Sequence, residues 1–284
     1  MKKGFYAALA VCLLVSGTLP ALAQQAPTRP PNVLQIFREE VKPGKGAAHE
    51  KVEVGWPRAF AKANSSTYYL AVTTITGPTE AWFITGYDSM AAWEKDTRAN
   101  DSNPTLSAEL QQLSAQDGEL LSGTRSIVAN YREDMSYQPS GMPPLGQMRY
   151  FYVTTVRVRP GHESEYEQIN KITREAHQKA NIPERWSVWQ VNYGMPRGTF
   201  IIFQPLKSLA DVDAFPQTHG EAYQAAIGEE GAKKLRELSA AAILFTETNI
   251  LAFSPKMSYP SKAWIDADPQ FWTPRPAGVK KATQ

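Results

Sequence analysis

The chain has 284 residues, of which 42% are hydrophobic and 20% charged, a globular composition long enough for two ordinary domains. Its formal net charge of +2, with no basic block, excludes the electrostatic footprint that nucleic-acid binding demands. The single cysteine, Cys12, lies in an apolar stretch near the start, so everything after it is without disulfides, thiol nucleophiles or thiolate metal ligands.

In chain order, Met1-Lys2-Lys3, the apolar run Phe5 to Val15 and Ala21-Leu22-Ala23 before Gln24 read as a secretory signal peptide over 1–23. Cleavage there predicts an exported protein, periplasmic or extracellular, with no membrane association and with Lys2 and Lys3 lost. Residues 24–32, with three prolines, read as an extended leader. Val33 to Val41 is a predicted strand ended by Pro43-Gly44, and the helix after it carries His49, Val52, Trp56 and Phe60 on one stripe, kinked at Pro57. Asn64 stands where a left-handed residue closes a helix. Tyr68 to Ile75 and Ala81 to Tyr87 form a predicted β-hairpin across Thr76-Gly77-Pro78-Thr79. A short helix capped by Ser89 (Met90 to Glu94), a polar loop, a leucine-bearing helix from Pro104 and a strand from Thr124 to Tyr131 complete a βαββαβ, ferredoxin-like order over 33–134. Residues 135–148, rich in Pro and Gly, read as a linker.

The order then repeats. Val158-Arg159-Pro160-Gly161 matches Val41-Lys42-Pro43-Gly44 at a register of 117 residues, and the same register sets Lys179-Ala180-Asn181 on Lys62-Ala63-Asn64 and Gly194 on Gly77. Met135-Ser136-Tyr137 recurs as Met257-Ser258-Tyr259, by which point the register is 122. A period this long implies two copies of one domain, the second over 149–256. Its strands are read at Arg149 to Arg159, Arg185 to Val191, Thr199 to Phe203 and Thr246 to Phe253. A long helix over Glu221 to Ala242 is weakened in its middle by Gly228 and Gly231. Residues 257–284 form a proline-rich arm and tail, packed as far as Trp272 because of Trp264, Phe271 and Trp272, and disordered beyond.

The duplication acts as a control on single residues. His49 aligns with Tyr166 and His177 with Phe60, which assigns both histidines to packing stripes; His49 and Glu53 share a helix face at i,i+4, a spacing that stabilises helices. Only His219, in Gln217-Thr218-His219-Gly220, lacks a structural account, and it is the candidate catalytic base. Trp186 and Trp189 point to opposite strand faces, so one at most faces a barrel interior. Arg125 and Glu247 are equivalent residues of opposite charge on the two last strands, able to meet across a barrel axis or to bind a polar ligand group. Glu39 and Glu40 point opposite ways and cannot form a carboxylate pair. No phosphate loop, nucleophile elbow or His-Glu-x-x-His is present, and no metal site is expected.

The Val-Lys-Pro-Gly and Val-Arg-Pro-Gly strand ends, the aromatic hairpins, and then Tyr87-Asp88-Ser89-Met90-Ala91-Ala92-Trp93 or Leu206-Lys207-Ser208-Leu209-Ala210 resemble the dimeric α+β-barrel superfamily, particularly NIPSNAP-like and antibiotic-biosynthesis-monooxygenase-like domains. The resemblance implies an α+β fold in which two tandem ferredoxin-like βαββαβ repeats form a fused dimeric α+β barrel. The chain would then be a pseudo-two-fold monomer or a weak homo-oligomer. It implies a small apolar ligand among aromatic strand residues, with Arg125, Trp186, Trp189 and Trp82 as candidate ligand-binding residues. Two classes stay open, a binding or interaction module and a superfamily-type enzyme, either an isomerase or a cofactor-free or haem-dependent monooxygenase. The haem-degrading branch uses an Asn, a Trp and a His. Trp82 fits the Trp and His219 approximates the His, but neither copy holds all three, so no cofactor is expected.

Overall fold

A computed structural model describes residues 29–139, 144–214 and 220–273; the stretch expected to be a signal peptide, His219 and the tail after Thr273 lie outside the described residues. The first repeat comprises β1 (Val33–Val41), α1 (Gly46–Glu53), α2 (Gly55–Lys62), β2 (Leu70–Thr74), β3 (Glu80–Tyr87), α3 (Met90–Asp101), α4 (Pro104–Gly118) and β4 (Leu121–Tyr137). The second comprises β5 (Tyr150–Val158), α5 (Glu163–Lys179), β6 (Trp186–Tyr193), β7 (Thr199–Leu206), α6 (Ala210–Asp213), α7 (Glu221–Ala242) and β8 (Ile243–Phe253). The arm carries α8 (Lys262–Ala267) and α9 (Pro269–Trp272).

The eight strands close into one antiparallel barrel in the order β1-β3-β2-β8-β5-β7-β6-β4. Each repeat supplies four consecutive strands, and the repeats join at two seams, β2 against β8 and β4 against β6. Closure removes the edge strands that an isolated four-stranded sheet would expose. The seams are equivalent down to single hydrogen bonds. Ser136 Oγ accepts the Val188 N–H at 2.9 Å, and Ser258 Oγ accepts the Ala71 N–H at 2.9 Å. Val188 and Ala71 are register equivalents, as are Ser136 and Ser258, so the repeated Met-Ser-Tyr segments are the clasps of a pseudo-two-fold barrel.

Local signals hold where they were strongest. Asn64 and Asn181 have φ of 49° and 51°, the left-handed conformation that ends a helix. Gly194, at φ 86°, lies so close to β4 that a Cβ would collide with the Ser126 carbonyl. Other boundaries move. The break between α1 and α2 comes at Val54, before Pro57, which falls in the first turn of α2 where its missing N–H has no helical acceptor to lose. The polar loop expected after Glu94 is helical, since α3 runs to Asp101 and is tied to the loop before β2 by Thr67 Oγ1 on Asp96 (2.7 Å) and Asn100 Nδ2 on Thr67 (2.7 Å). β4 continues to Tyr137, into the stretch read as linker, because its first part, up to Asn130, pairs with β1 and its far half, from Val128, pairs with β6 across the seam. Gly228, at φ 68°, breaks α7 internally, as its glycines suggested.

The arm packs as far as Trp272. That indole is buried against Phe253 and Trp264 and donates to the Gly146 carbonyl at 2.7 Å. Asp268 caps α9 and pairs with Arg149 at the start of β5, which seats the arm on one end of the barrel.

Candidate functional site

One apolar cluster draws side chains from all eight strands, among them Ile36, Val72, Trp82, Ile127, Phe151, Trp189, Ile201 and Leu251, and is therefore the barrel interior. Strand alternation fixes what else faces inward. Toward the end where β1 finishes, the inward positions turn polar: Arg38 and Glu40 on β1, Glu80 on β3, Arg125 on β4, Arg157 on β5, Glu247 and Asn249 on β8. The opposite end is aromatic. Phe203 meets Trp82 and Phe151, Tyr131 lies beside Trp189, and the arm closes over Phe253. The barrel thus has an apolar, covered end and a polar, open one.

At the polar end Arg38 Nη2 donates to both oxygens of Glu80 at 2.7 Å while its guanidinium lies 4.3 Å from the Trp82 ring centre. Trp82 Nε1 donates to the same carboxylate at 2.6 Å, so Glu80 is fully paired although 5% exposed. Arg125 stands opposite Arg38 in the β1–β4 register and donates only to the Gly194 carbonyl, at 3.4 Å. The Nε of Arg157 is buried with no hydrogen-bond partner. Neither Arg125 nor Arg157 forms an ion pair among the described residues. Phe245, 52% exposed, stands opposite Arg157 in the β5–β8 register, and Tyr193, 62% exposed, pairs with Val128 past a register shift at the end of β6.

The ligand-binding residues read from the sequence do not gather in one cleft. Trp82 and Trp189 face inward, but both are packed and their indole N–H groups go to Glu80 and Ser187. Trp186 does not line the interior. It faces α5, lies against Tyr137 and His177, and donates to the Met135 carbonyl at 3.1 Å. Arg125 and Glu247 face inward but turn to other partners, Gly194 and Asn249. The aromatic cleft expected inside the barrel is a filled core. His219 lies outside the described residues.

A second polar group lies on the other face of β1, between the sheet and the helices of the first repeat. Alternation turns Glu39 outward, α1 presents His49 and Glu53 one turn apart, and the end of α4 brings in Asp117; all four are between 2% and 4% exposed. His49 Nε2 lies 2.9 Å from Glu39 Oε2 and 3.6 Å from Asp117 Oδ1. Glu53 Oε1, Asp117 Oδ1, Trp56 Nε1 and the Tyr69 hydroxyl have no hydrogen-bond partners. Burial, followed by the nearby charges of Glu39 and Asp117, pushes the Glu53 carboxyl up to about 9. Burial and then Glu39 push Asp117 up to about 6. Burial, then Glu53 and Glu39, holds the Tyr69 phenol well above its ordinary value. The sequence reading gave His49 to a packing stripe; it is buried as that reading requires, but its ring is held by carboxylates. Of this group only the His49–Glu53 spacing was visible along the chain.

Of the residues that the haem-degrading pattern calls for, an Asn before the first strand, Asn32, donates to the Asp88 carbonyl, the Trp82 indole donates to Glu80, and His219 lies outside the described residues.

No protein-family model matches the chain, and no curated protein does. Among solved structures it is similar to a candidate monooxygenase from Fusobacterium nucleatum subsp. nucleatum ATCC 25586, with 13% identity over 79% of this chain and 93% of that one and a TM-score of 0.50. It is also similar to an anthrone oxidase-like protein, with 15% identity, 83% and 96% coverage and a TM-score of 0.52. A mutant chlorite dismutase from Candidatus Nitrospira defluvii gives 12% identity, 84% and 95% coverage and a TM-score of 0.46. At these identities the likeness is one of fold. The chain has the dimeric α+β-barrel fold, with both halves of the barrel carried by one polypeptide.

Proposed function

We propose that the protein is an exported binding module whose open barrel end takes a small anionic molecule with a flat apolar body. The observation that carries this reading is the pair of inward-facing arginines, Arg125 and Arg157, left without carboxylate partners, with the exposed ring of Phe245 opposite Arg157 in the β5–β8 register. Arginine offers a planar fork suited to a carboxylate or phenolate, and exposed rings offer a face for stacking. The filled aromatic interior favours a site at the polar mouth over one in the middle of the barrel, and the arm covers the opposite end.

The test is mass spectrometry of small molecules carried through purification of the mature protein, beside an Arg125→Ala/Arg157→Ala variant. An organic acid enriched on the wild type and reduced at least about tenfold on the variant is expected, since each charge-assisted contact supplies about 1.5–3 kcal/mol. Equal recovery from both proteins, or none from either, overturns the reading. The same spectrum reads the mature N-terminus: a chain beginning at Gln24 supports export, and a retained Met1 rejects it. Oxygen uptake in the presence of the recovered acid separates an oxygenase from a binder.

A further inference from the structure

We infer that Glu39, His49, Glu53 and Asp117 form a binding site for a divalent first-row transition-metal ion that ties β1, α1 and α4 together. The inference is independent of the barrel's open end.

Geometry comes first. One ligand atom from each of the four side chains lies within 4.8 Å of every other. Metal–oxygen and metal–nitrogen bonds of about 2.0–2.2 Å give a coordination sphere about 4.2 Å across, so sub-ångström movements would bring four donors onto one ion. The donors come from three elements, and three of the residues, His49, Glu53 and Asp117, are held on helices.

The second observation is the unpaired oxygen. Glu53 is 2% exposed and its Oε1 has no hydrogen-bond partner; Asp117 Oδ1 is equally unpaired beside the His49 ring. No lysine or arginine pairs with these carboxylates among the described residues, and His49 is the one basic group in contact. Three buried carboxyl groups crowd one imidazole with no lysine or arginine beside them, so they must either keep protons or release them to a dication that takes the protons' place.

The third observation is the duplication. In the second repeat the equivalent positions are Val156, Tyr166, Asn170 and Ser239. Val156 and Tyr166 join an apolar cluster there, and Asn170 donates to the Tyr166 carbonyl. These four positions can therefore be filled without charge. In the first repeat they are not.

The donor set selects the ion. An imidazole with carboxylates suits manganese, iron or zinc, while calcium takes oxygen ligands and magnesium keeps several waters that this closed site cannot admit. Four protein donors and near-complete burial describe a structural site without an open position.

Metal analysis of the full-length mature protein is expected to find about one manganese, iron or zinc ion per chain. Chelation should lower Tm by several degrees, and Mn²⁺ or Zn²⁺, but not Mg²⁺ or Ca²⁺, should restore it. Glu53→Gln and His49→Gln should each reduce retained metal at least about tenfold while the circular dichroism spectrum stays folded. Should those variants fail to fold, nitrogen coupling to bound Mn²⁺ in the wild type, read by pulsed electron paramagnetic resonance, must show the imidazole. A protein with no metal and no Tm response to either ion, one responding only to Ca²⁺ or Mg²⁺, one whose variants retain full metal, or a Mn²⁺ spectrum without nitrogen coupling overturns the inference.

Discussion

The two repeats share a backbone plan but fill four equivalent positions between sheet and helices with different chemistry, although the second also buries His177 beside Glu184 elsewhere in the layer. In the first, Glu39, His49, Glu53 and Asp117 are buried together with unpaired oxygens among them. In the second, Val156, Tyr166, Trp186, Val188 and Phe200 make an aromatic and aliphatic cluster against α5. The difference teaches that packing alone does not require charge at these positions. Tyr166 fills the position equivalent to His49 without a carboxylate partner, so the polar version in the first repeat is a departure that the proposed metal site accounts for.

The sharpest way to break this comparison is to remove one polar partner in each copy. With metal chelated, His49→Ala leaves Glu39 buried without its imidazole and is expected to cost about 3–5 kcal/mol. At the equivalent position Tyr166→Phe keeps the ring and removes one hydroxyl, with an expected cost under about 1.5 kcal/mol. Urea denaturation of both variants, read by circular dichroism, checks the contrast. Equal losses would mean that the charged layer is a packing solution like its counterpart.

A second contrast concerns the hairpin glycines, which are register equivalents with φ of 83° at Gly77 and 86° at Gly194. Either substitution by alanine forces a left-handed side-chain-bearing residue, at about 1–2 kcal/mol. At Gly77 the new Cβ meets the Asn249 side chain, which can turn away; at Gly194 it meets the Ser126 backbone carbonyl within the sheet. Gly194→Ala is therefore expected to lose at least about 1 kcal/mol more than Gly77→Ala, the further cost of shifting a strand. Thermal unfolding of the two variants decides it, and equal Tm values would show that the second seam yields as easily as the first.

These contrasts also show what the chain made legible. The Pro-Gly turns, Asn64 and Asn181, and the Met-Ser-Tyr clasps are local backbone signals, and they were enough to read the duplication and the fold. β4 was read too short because its last residues are held by Trp186 and its neighbours in the other repeat, a pairing no local pattern records. The buried carboxylate group was missed for the same reason: Glu39 and Asp117 come from segments far apart along the chain, and only His49 and Glu53 share a visible spacing. Using one repeat as a control on the other assumed that both copies fill a position in the same way. For the seams that assumption holds; for the layer beneath α1 it fails. Alternation set Trp186 and Trp189 on opposite faces but not which of them faces inward, nor that the interior is filled, because both depend on packing between segments far apart in the chain.

The smallest expected effect lies at the covered end of the barrel, where the arm is held by an acid that the open end has no counterpart for. Asp268 caps α9 and faces Arg149 from β5; the arginine's hydrogen bond, ahead of the Phe271 and Gln270 backbone groups, holds its carboxyl below the ordinary value of 3.8. A carboxylate whose folded pKa is depressed contributes stability that is present above its unfolded pKa and lost as pH falls through the folded one. The arm should therefore stay seated at neutral pH and loosen only below about pH 4, which is the unfolded range for aspartate. Asp268→Asn keeps an N-cap oxygen but removes the charge, and so should loosen the arm at neutral pH. Tryptophan fluorescence, which reads Trp264 and Trp272 as they leave Phe253, is expected to shift to longer wavelength below about pH 4 in the wild type and to start near that shifted value in the variant. A variant indistinguishable from wild type at neutral pH would place the hold on the Trp272 indole and the Gly146 carbonyl, not on the ion pair.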